Sequence, residues 1–259
     1  MTVLLVDVGN SRIKWARFER GRLAASRVAA HSAWGAADYR RRLFGRGAVP
    51  VRVLISSVAG SKVNRALAAA ARRASVSAEF LQVPRRAGGV TVGYLEPWRL
   101  GVDRFAATVG AHALFPELPL CVVGVGTAMT VDLVGADGRH RGGVIVPAPA
   151  LMVESLLERT YGIRRRARGG AGAGVGLFSR STRAGIIAGA RFAAAALIDR
   201  AVEEALPLAR RRALVVIHGG GAPSVRPLLR SAWVGVPDLV LRGLSVLAQA
   251  GPPGNPRLN

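Results

Sequence analysis

The stretch Asp7-Val8-Gly9-Asn10-Ser11-Arg12-Ile13-Lys14 directly follows an apolar run, Thr2–Val8, whose branched residues predict a buried strand. A carboxylate at a strand end, followed by glycine and two short polar residues, predicts a tight turn. The amides of such a turn can cradle phosphate oxygens, and Asp7 would hold the divalent cation that accompanies a nucleotide. Lys14, on the next strand, would reach a phosphate. Taken alone, the stretch fits a plain hairpin turn equally well, because these are the usual turn residues.

One further segment repeats this arrangement, and a third element fits beside it. Gly126-Thr127-Ala128 follows the apolar run Leu120–Val125, and Asp132 lies just beyond it. Gly219-Gly220-Gly221 follows a predicted strand and precedes a predicted helix, where glycines let the backbone approach a ligand closely. The P-loop and dinucleotide-binding fingerprints are both missing from the sequence. The three segments therefore predict a nucleotide clamp of another architecture.

The hydrophobic pattern predicts two successive βββα-type halves, which indicates a duplicated architecture. In the first half, we expect strands at Thr2–Val8, Ile13–Phe18, Arg22–Ala29, Val51–Ser56 and Phe80–Val83, and helices at Ala36–Phe44, Ser61–Arg73 and Gly101–Leu114. In the second, we expect strands at Leu120–Val125, Thr130–Val134, Gly143–Val146 and Ala213–His218, helices at Ala150–Arg159 and Ala184–Leu206, and a helix–strand–helix tail. Pro116 and Pro119 mark the boundary, so the predicted domains are 1–117 and 118–259.

The composition restricts the class of protein. The 259 residues are 50% hydrophobic, which excludes global disorder, and the single cysteine, Cys121, excludes an intrachain disulfide. The formal net charge is +22, and all basic residues except Lys14 and Lys62 are arginines. Arginine is well suited to binding phosphate or nucleic acid, although solvated arginines on helix faces explain the charge more simply.

No signal peptide or membrane-length apolar run is present, so we expect a cytoplasmic protein.

The segment Arg164–Gly176 carries four arginines followed by glycines. This composition predicts a mobile surface loop, and nucleic-acid binding by an Arg/Gly segment is the alternative.

Together, these motifs resemble the two phosphate motifs and the adenosine motif of the superfamily that contains actin, heat-shock chaperones and sugar kinases. The resemblance implies an α/β fold of two actin-like (ribonuclease H-like) lobes with a nucleotide cleft between them. Within that superfamily, the chain closely resembles the type III pantothenate kinases, also labelled Bvg accessory factors. The family motif Gly-x-Asp-Arg appears as Gly101-Val102-Asp103-Arg104, with the expected Tyr94 upstream. Further matches are Gly142–Pro147 and the helix start Ser181-Thr182.

The resemblance implies a role for each matching residue. ATP would bind to Asp7, Val8, Gly9, Asn10, Ser11, Arg12, Ile13, Lys14 and Thr127, with Mg²⁺ at Asp7. Pantothenate would bind to Tyr94, Gly101, Val102, Asp103, Arg104 and Thr182. Asp103 would accept the proton of the substrate hydroxyl, and Arg104 would pair with the substrate carboxylate. The implied activity is the ATP-dependent phosphorylation of pantothenate, the first step of coenzyme A biosynthesis, by a homodimer.

One departure and two alternatives accompany this interpretation. Where the family commonly has an aspartate that binds potassium or ammonium, this chain has Gly124. We therefore expect activity to be indifferent to potassium, although backbone carbonyls could still form a weak site.

The first alternative function is that of a transcription-associated, DNA-binding accessory protein. The charge favours it, but the sequence contains no helix-turn-helix or zinc-finger signature. The second is a sugar or acetate-type kinase, against which Tyr94 and the Gly-x-Asp-Arg motif argue.

Overall fold

The computed structural model describes residues 2–45, 47–168 and 176–250. The strands are β1 (Thr2–Val8), β2 (Arg12–Glu19), β3 (Arg22–Leu23), β4 (Arg27–Ala30), β5 (Arg52–Ser57), β6 (Ser77–Phe80), β7 (Arg86–Ala87), β8 (Val90–Thr91), β9 (Leu120–Val125), β10 (Ala128–Val134), β11 (His140–Pro147), β12 (Leu214–His218) and β13 (Trp233–Gly235). The α-helices are α1 (Ala36–Tyr39), α2 (Ser61–Arg73), α3 (Val102–Leu114), α4 (Pro149–Arg159), α5 (Tyr161–Arg166), α6 (Thr182–Ala209), α7 (Ala222–Val225) and α8 (Leu239–Gln249). A π-helical turn, Arg40–Phe44, continues α1, and 3₁₀ turns lie at Pro97–Arg99 and Arg226–Leu228.

The chain folds as two compact units. The first comprises the residues up to Pro116, Gly138–His140 and the chain from Asp238 onward. The second comprises Glu117–Asp137 and Arg141–Pro237. This division differs from the predicted domains at the C-terminal end, because α8 packs against α3 and β1 of the first unit. Its buried leucines give that packing a hydrophobic basis that lies outside the local sequence pattern.

The sheet of the first unit has the order β3-β2-β1-β5-β6, and β4 also pairs with β2. The central strand β1 runs antiparallel to β2 and parallel to β5. In this register Asp7 lies opposite Lys14 on one side and opposite Ser56 on the other. The first predicted turn therefore closes the hairpin between β1 and β2, with its carboxylate between two polar neighbours.

The sheet of the second unit has the order β11-β10-β9-β12-β13. Its central strand β9 runs antiparallel to β10 and parallel to β12, as β1 does to β2 and β5. The two sheets thus have the same pairing pattern, which confirms the predicted duplication of architecture. It arises without residue-level repetition, since both halves need only a buried central strand followed by a hairpin.

Each sheet is covered by its own apolar core. In the first unit, this core includes Leu4, Val6, Val8, Ile13, Trp15, Tyr39, Leu43, Val53, Ile55 and Leu67. In the second, it includes Val123, Val125, Met129, Ala194, Ile198, Val202, Val215 and Ile217. Burying one large aliphatic side chain contributes about 1.5–3 kcal/mol, so both hairpins are firmly anchored at their strand ends.

Several predicted elements differ from the observed ones, and three of them are shifted, divided or replaced. The strand predicted at Phe80–Val83 lies earlier, at Ser77–Phe80, where it pairs in parallel with β5. The strand predicted at Arg22–Ala29 is divided into β3 and β4. The loop predicted at Arg164–Gly176 begins as the last turn of α5, and residues 169–175 lie outside the described residues. Arginine is a good helix former, which accounts for this extension.

Among the described residues, no helix has both the length and the apolar composition that crossing a lipid bilayer requires.

Candidate functional site

The carboxyl group of Asp7 interacts with several other charged groups of the first unit. Burial, together with the neighbouring carboxylates of Asp103 and Asp238, raises the pKa of Asp7 to about 7, although Lys14 and a hydrogen bond with the Ser56 hydroxyl act to lower it. Two carboxylates from other elements, Asp103 and Asp238, therefore repel the charge of Asp7, and Lys14 attracts it; these four residues are called the Asp7 cluster. A positive charge that arrives beside Asp7 would favour its ionised form.

Asp238 is a member of this cluster that the sequence did not reveal. Its carboxylate accepts hydrogen bonds from Lys14 Nζ at 3.1 Å and from Ser26 Oγ at 2.7 Å. Asp238 has a φ of 56°, in the left-handed region that non-glycine residues seldom adopt. An aspartate directly before a helix normally predicts an N-cap. Here the carboxylate instead binds Lys14 and Ser26, across 224 and 212 positions of sequence.

Asp103 lies in the first turn of α3, in the motif predicted to bind substrate. Its Oδ1 accepts a hydrogen bond from the Arg104 backbone N–H at 2.9 Å, which orients the carboxylate. A Cβ at position 101 would lie 2.7 Å from that same oxygen. Glycine is needed there because any side chain would displace the carboxylate that the motif presents.

Arg104 is buried, with 7% of its surface exposed. Its Nη1 donates to the Tyr94 hydroxyl at 3.3 Å, and its guanidinium carbon lies 5.9 Å from the centre of the Tyr94 ring. The backbone oxygen of Tyr94 accepts from Arg85 at 2.6 Å, while its ring packs against His140 at a centroid distance of 5.6 Å. The structure therefore brings the predicted residues Tyr94 and Arg104 together, with Arg85 and His140 as supports that the sequence did not indicate.

The residues of the predicted phosphate turn differ in their exposure. Asn10, Ser11 and Arg12 are exposed at the turn, which is closed by a hydrogen bond from Gly9 N to Arg12 O at 3.0 Å. Val8 and Ile13 are fully buried core residues, so only their backbone groups could meet a ligand. A ligand on this turn would therefore contact backbone amides together with short polar side chains.

In the second unit, Thr127 lies in the turn between β9 and β10. Gly126 N donates to Ala128 O at 2.9 Å, and Thr127 O accepts from Ala148 N at 3.1 Å. The glycine segment after β12 contacts the same hairpin, since Gly221 N donates to Val125 O at 3.0 Å. Gly219 has a φ of +98°, and a Cβ there would lie 2.3 Å from Val125 O. The second predicted turn and the glycine segment are therefore adjacent within this unit.

Thr182 is the first residue of the long helix α6, also in the second unit. The helix is capped by Ser181, whose Oγ accepts from Ala184 N at 3.2 Å. The helix start that the family resemblance implied is therefore correct, and Thr182 lies in the first turn of α6.

Gly124, where the family resemblance implied a cation-binding aspartate, has a different chemical setting. A Cβ at this position would lie 3.1 Å from both His218 Nε2 and Thr130 Oγ1. A potassium ion takes oxygen ligands such as carbonyl groups. The side chains beside Gly124 offer one hydroxyl oxygen and an imidazole but no carboxylate, so they do not fit a potassium site of the kind that the family aspartate would supply.

The residues around Asp7 do fit a magnesium ion that arrives with a nucleotide. Mg²⁺ usually takes one or two carboxylates, with phosphates and waters as its other ligands. Within the described ranges, no group of three or more His, Cys, Asp and Glu side chains could hold a metal ion. Asp7 is therefore suited to a cation that is held mainly by phosphate oxygens.

The raised pKa of Asp7 predicts a pH-dependent stability. Between its unfolded pKa near 3.8 and its folded pKa of about 7, the folded chain binds more protons than the unfolded one, so stability falls as pH rises. Asp7→Asn removes this dependence. From pH 5 to pH 8, we expect the variant to gain about 2–3 kcal/mol in unfolding free energy relative to the wild type, as measured by urea denaturation. Asp38→Asn, at a partly exposed carboxylate that pairs with Arg41, is the matched control, and an equal gain there would contradict the assignment.

Known proteins resemble this chain in sequence over most of its length. The sequence model of the family described as type III pantothenate kinase matches residues 3–204. A type III pantothenate kinase from Nitrosococcus oceani is 34% identical over 252 residues, which are 95% of this chain and 94% of that protein. One from Halorhodospira halophila is 38% identical over 247 residues, with 93% and 95% covered.

Among solved structures, MreB 5 of Spiroplasma citri bound to AMPPNP has a TM-score of 0.55 at 10% identity, and the match covers 96% of each chain. At this identity the likeness shows the fold alone. That fold is the mixed α/β fold of actin-like ATPases and sugar kinases, which confirms the predicted fold class.

Proposed function

The chain belongs to the type III pantothenate kinase family, and from that premise we propose how its residues perform the reaction. The activity is the ATP-dependent phosphorylation of pantothenate, which opens coenzyme A biosynthesis. Relatives at 34% and 38% identity carry the name of this kinase, so the kinase and not the transcription-linked alternative is the function assigned. The structural observation that carries the proposal is the convergence of Asp7, Lys14 and Asp103 in the first unit.

Asp103 is the proposed acceptor of the substrate hydroxyl proton. Phosphoryl transfer to an alcohol needs an in-line nucleophile and a carboxylate that takes the proton. The Arg104 N–H donates to one carboxylate oxygen of Asp103 and so fixes the orientation of the carboxylate that is proposed to meet the hydroxyl. Asp103 lies close enough to Asp7 for its charge to raise the pKa of Asp7, which places the proposed proton acceptor beside the proposed phosphate turn.

Arg104 is the proposed partner of the pantothenate carboxylate. A guanidinium binds a carboxylate through two parallel hydrogen bonds, and such a pair is strengthened when water is excluded. The burial of Arg104 and its hydrogen bond to Tyr94 fix the direction of the fork before substrate arrives. Gly101 and Val102 would contact the substrate through their backbone, and Thr182 remains a predicted contact from α6.

ATP phosphates are proposed to bind the turn from Asp7 to Lys14, with Thr127 as a second contact. Exposed amides of the turn would bind the phosphate oxygens, and Lys14 would supply a positive charge that its pairing with Asp238 holds in place. When bound, Mg²⁺ neutralises charge on the phosphates, and Asp7 is its proposed protein ligand.

A homodimer in the cytoplasm is the proposed state of the enzyme. Leu95 and Trp98, close in sequence to Tyr94, have 94% and 68% of their surface exposed. On the edge strand β11, Ile145 is 61% exposed. Contiguous exposed apolar patches are typical of surfaces that a partner covers, and Leu95 and Trp98 are the two side chains proposed to begin such a patch.

Potassium is expected to have no effect on this enzyme, because Gly124 supplies no carboxylate and His218 lies against it. Initial rates with saturating ATP and pantothenate would be compared in potassium, ammonium and tetramethylammonium chloride at equal ionic strength. We expect rates within about twofold of one another. Strong stimulation by potassium or ammonium would contradict the loss of the site.

A substrate panel tests the proposed function. ATP consumption would be measured with pantothenate and, separately, with acetate and a set of sugars. We expect consumption above background only with pantothenate. Consumption driven by a sugar or by acetate would assign the chain to a different kinase activity.

A further inference from the structure

We propose that the buried His31 is a positioning residue that orients the peptide between Gly9 and Asn10 toward the ATP phosphates. The inference rests on the proposed binding of phosphates to this turn. His31 is not among the residues that the sequence indicated, because it lies at no metal-ligand spacing from His112 or His140. His31 directly follows β4, and only 3% of its surface is exposed.

Both ring nitrogens of His31 make short hydrogen bonds. Nε2 lies 2.8 Å from the backbone oxygen of Gly9, and Nδ1 lies 2.8 Å from the hydroxyl of Tyr39. A carbonyl oxygen can only accept a hydrogen bond, so Nε2 must carry the proton. In the neutral ring, Nδ1 then accepts from the Tyr39 hydroxyl, which fixes the tautomer that can hold Gly9.

The hydrogen bond to Gly9 determines where the next amide points. A trans peptide is planar, and its N–H points away from its C=O. Because His31 holds the Gly9 oxygen from the protein interior, the N–H of Asn10 is directed outward, at the exposed tip of the turn. An outward N–H at this tip is the donor that a phosphate oxygen requires.

The ring of His31 is itself held by aromatic packing. Tyr39 is fully buried, and its ring lies 5.3 Å from that of Trp34, which in turn packs edge-on against Trp15 at 6.3 Å. The centroid of the His31 ring is 6.3 Å from that of Tyr39 and 6.4 Å from that of Trp34. The peptide is therefore oriented before ligand binding, which lowers the entropy that binding has to offset.

Two matched variants test this role. In His31→Gln, the amide nitrogen of the new side chain can occupy the position of Nε2 and donate a hydrogen bond to Gly9 O. In His31→Asn, the shorter side chain places its amide nitrogen at the position of Nδ1, where it cannot donate to Gly9 O. Affinities for a non-hydrolysable ATP analogue and for adenosine would be measured by calorimetry on both variants and the wild type, with thermal unfolding recorded in parallel.

We expect His31→Asn to weaken binding of the ATP analogue about 10-fold, His31→Gln to weaken it less than about threefold, and adenosine to bind all three proteins alike. The KM for pantothenate should stay within twofold. Equal affinities of the Asn and Gln variants for the ATP analogue, or an equal loss for adenosine, would overturn the positioning role. If the wild type itself binds the analogue no more tightly than adenosine, the proposed phosphate turn fails instead.

Discussion

Replacing Asp103 by Asn should lower kcat by about 10²–10⁴-fold while the affinity for ATP changes by less than about threefold. The substitution keeps the shape of the side chain and its hydrogen bond from the Arg104 N–H, but it removes the group that takes the hydroxyl proton. It also removes one of the negative charges that raise the pKa of Asp7, so Asp7 is more readily ionised in the variant and ATP binding at the phosphate turn should be retained. Turnover would be followed by ADP formation, and ATP affinity by calorimetry.

Asp137→Asn is a suitable control for this substitution. Asp137 is an exposed aspartate paired with Arg141, far from any predicted substrate contact in the sequence. We expect this variant to retain wild-type kcat. Substantial turnover by Asp103→Asn, within tenfold of the wild type, would remove Asp103 from the role of proton acceptor.

Replacing Arg104 by Gln should raise the KM for pantothenate by about 10- to 100-fold, with a much smaller effect on the KM for ATP. The loss is large because the guanidinium is buried, and a substrate carboxylate desolvated beside it would have no replacement for the charge. Arg104→Lys should recover only part of the affinity, since an ammonium group cannot form the two parallel hydrogen bonds.

A substrate analogue separates this role from a general loss of structure. When the carboxylate of pantothenate is replaced by an alcohol, the wild type should bind the analogue poorly, and Arg104→Gln should no longer distinguish it from pantothenate. Arg99→Gln, at an exposed arginine that pairs with Glu96, is the control and should keep the wild-type preference. A variant at position 104 that still prefers the carboxylate would contradict the pairing.

The elements that sequence predicted best are those whose signals are local. The strands Thr2–Val8 and Leu120–Val125 and the helix Ser61–Arg73 have the predicted bounds. Each is an apolar or Ala-rich run flanked by glycine or by short polar residues, and burial follows directly from that pattern. The motifs at Asp7 and Asp103 were also found locally, because the chemistry of each is contained in a few consecutive residues.

The supports of the site could not be predicted in this way. Asp238 reaches Lys14 from 224 positions away, and His31 reaches Gly9 across 22. Neither contact follows from a periodicity or a spacing, since both depend on where α8 and β4 are packed. The position of α8 could not be predicted either. Its place in the sequence assigned it to the second lobe, whereas in the structure it packs in the first unit.

The identity of the phosphorylated product tests the central claim most directly. Purified protein would be incubated with ATP, Mg²⁺ and pantothenate, and the phosphorus-containing products followed by ³¹P NMR, beside the same reaction with Asp103→Asn. We expect one 4′-phosphopantothenate for each ADP formed by the wild type, and almost none with the variant. ADP accompanied only by inorganic phosphate, or equal product from both proteins, would contradict phosphoryl transfer to pantothenate at Asp103.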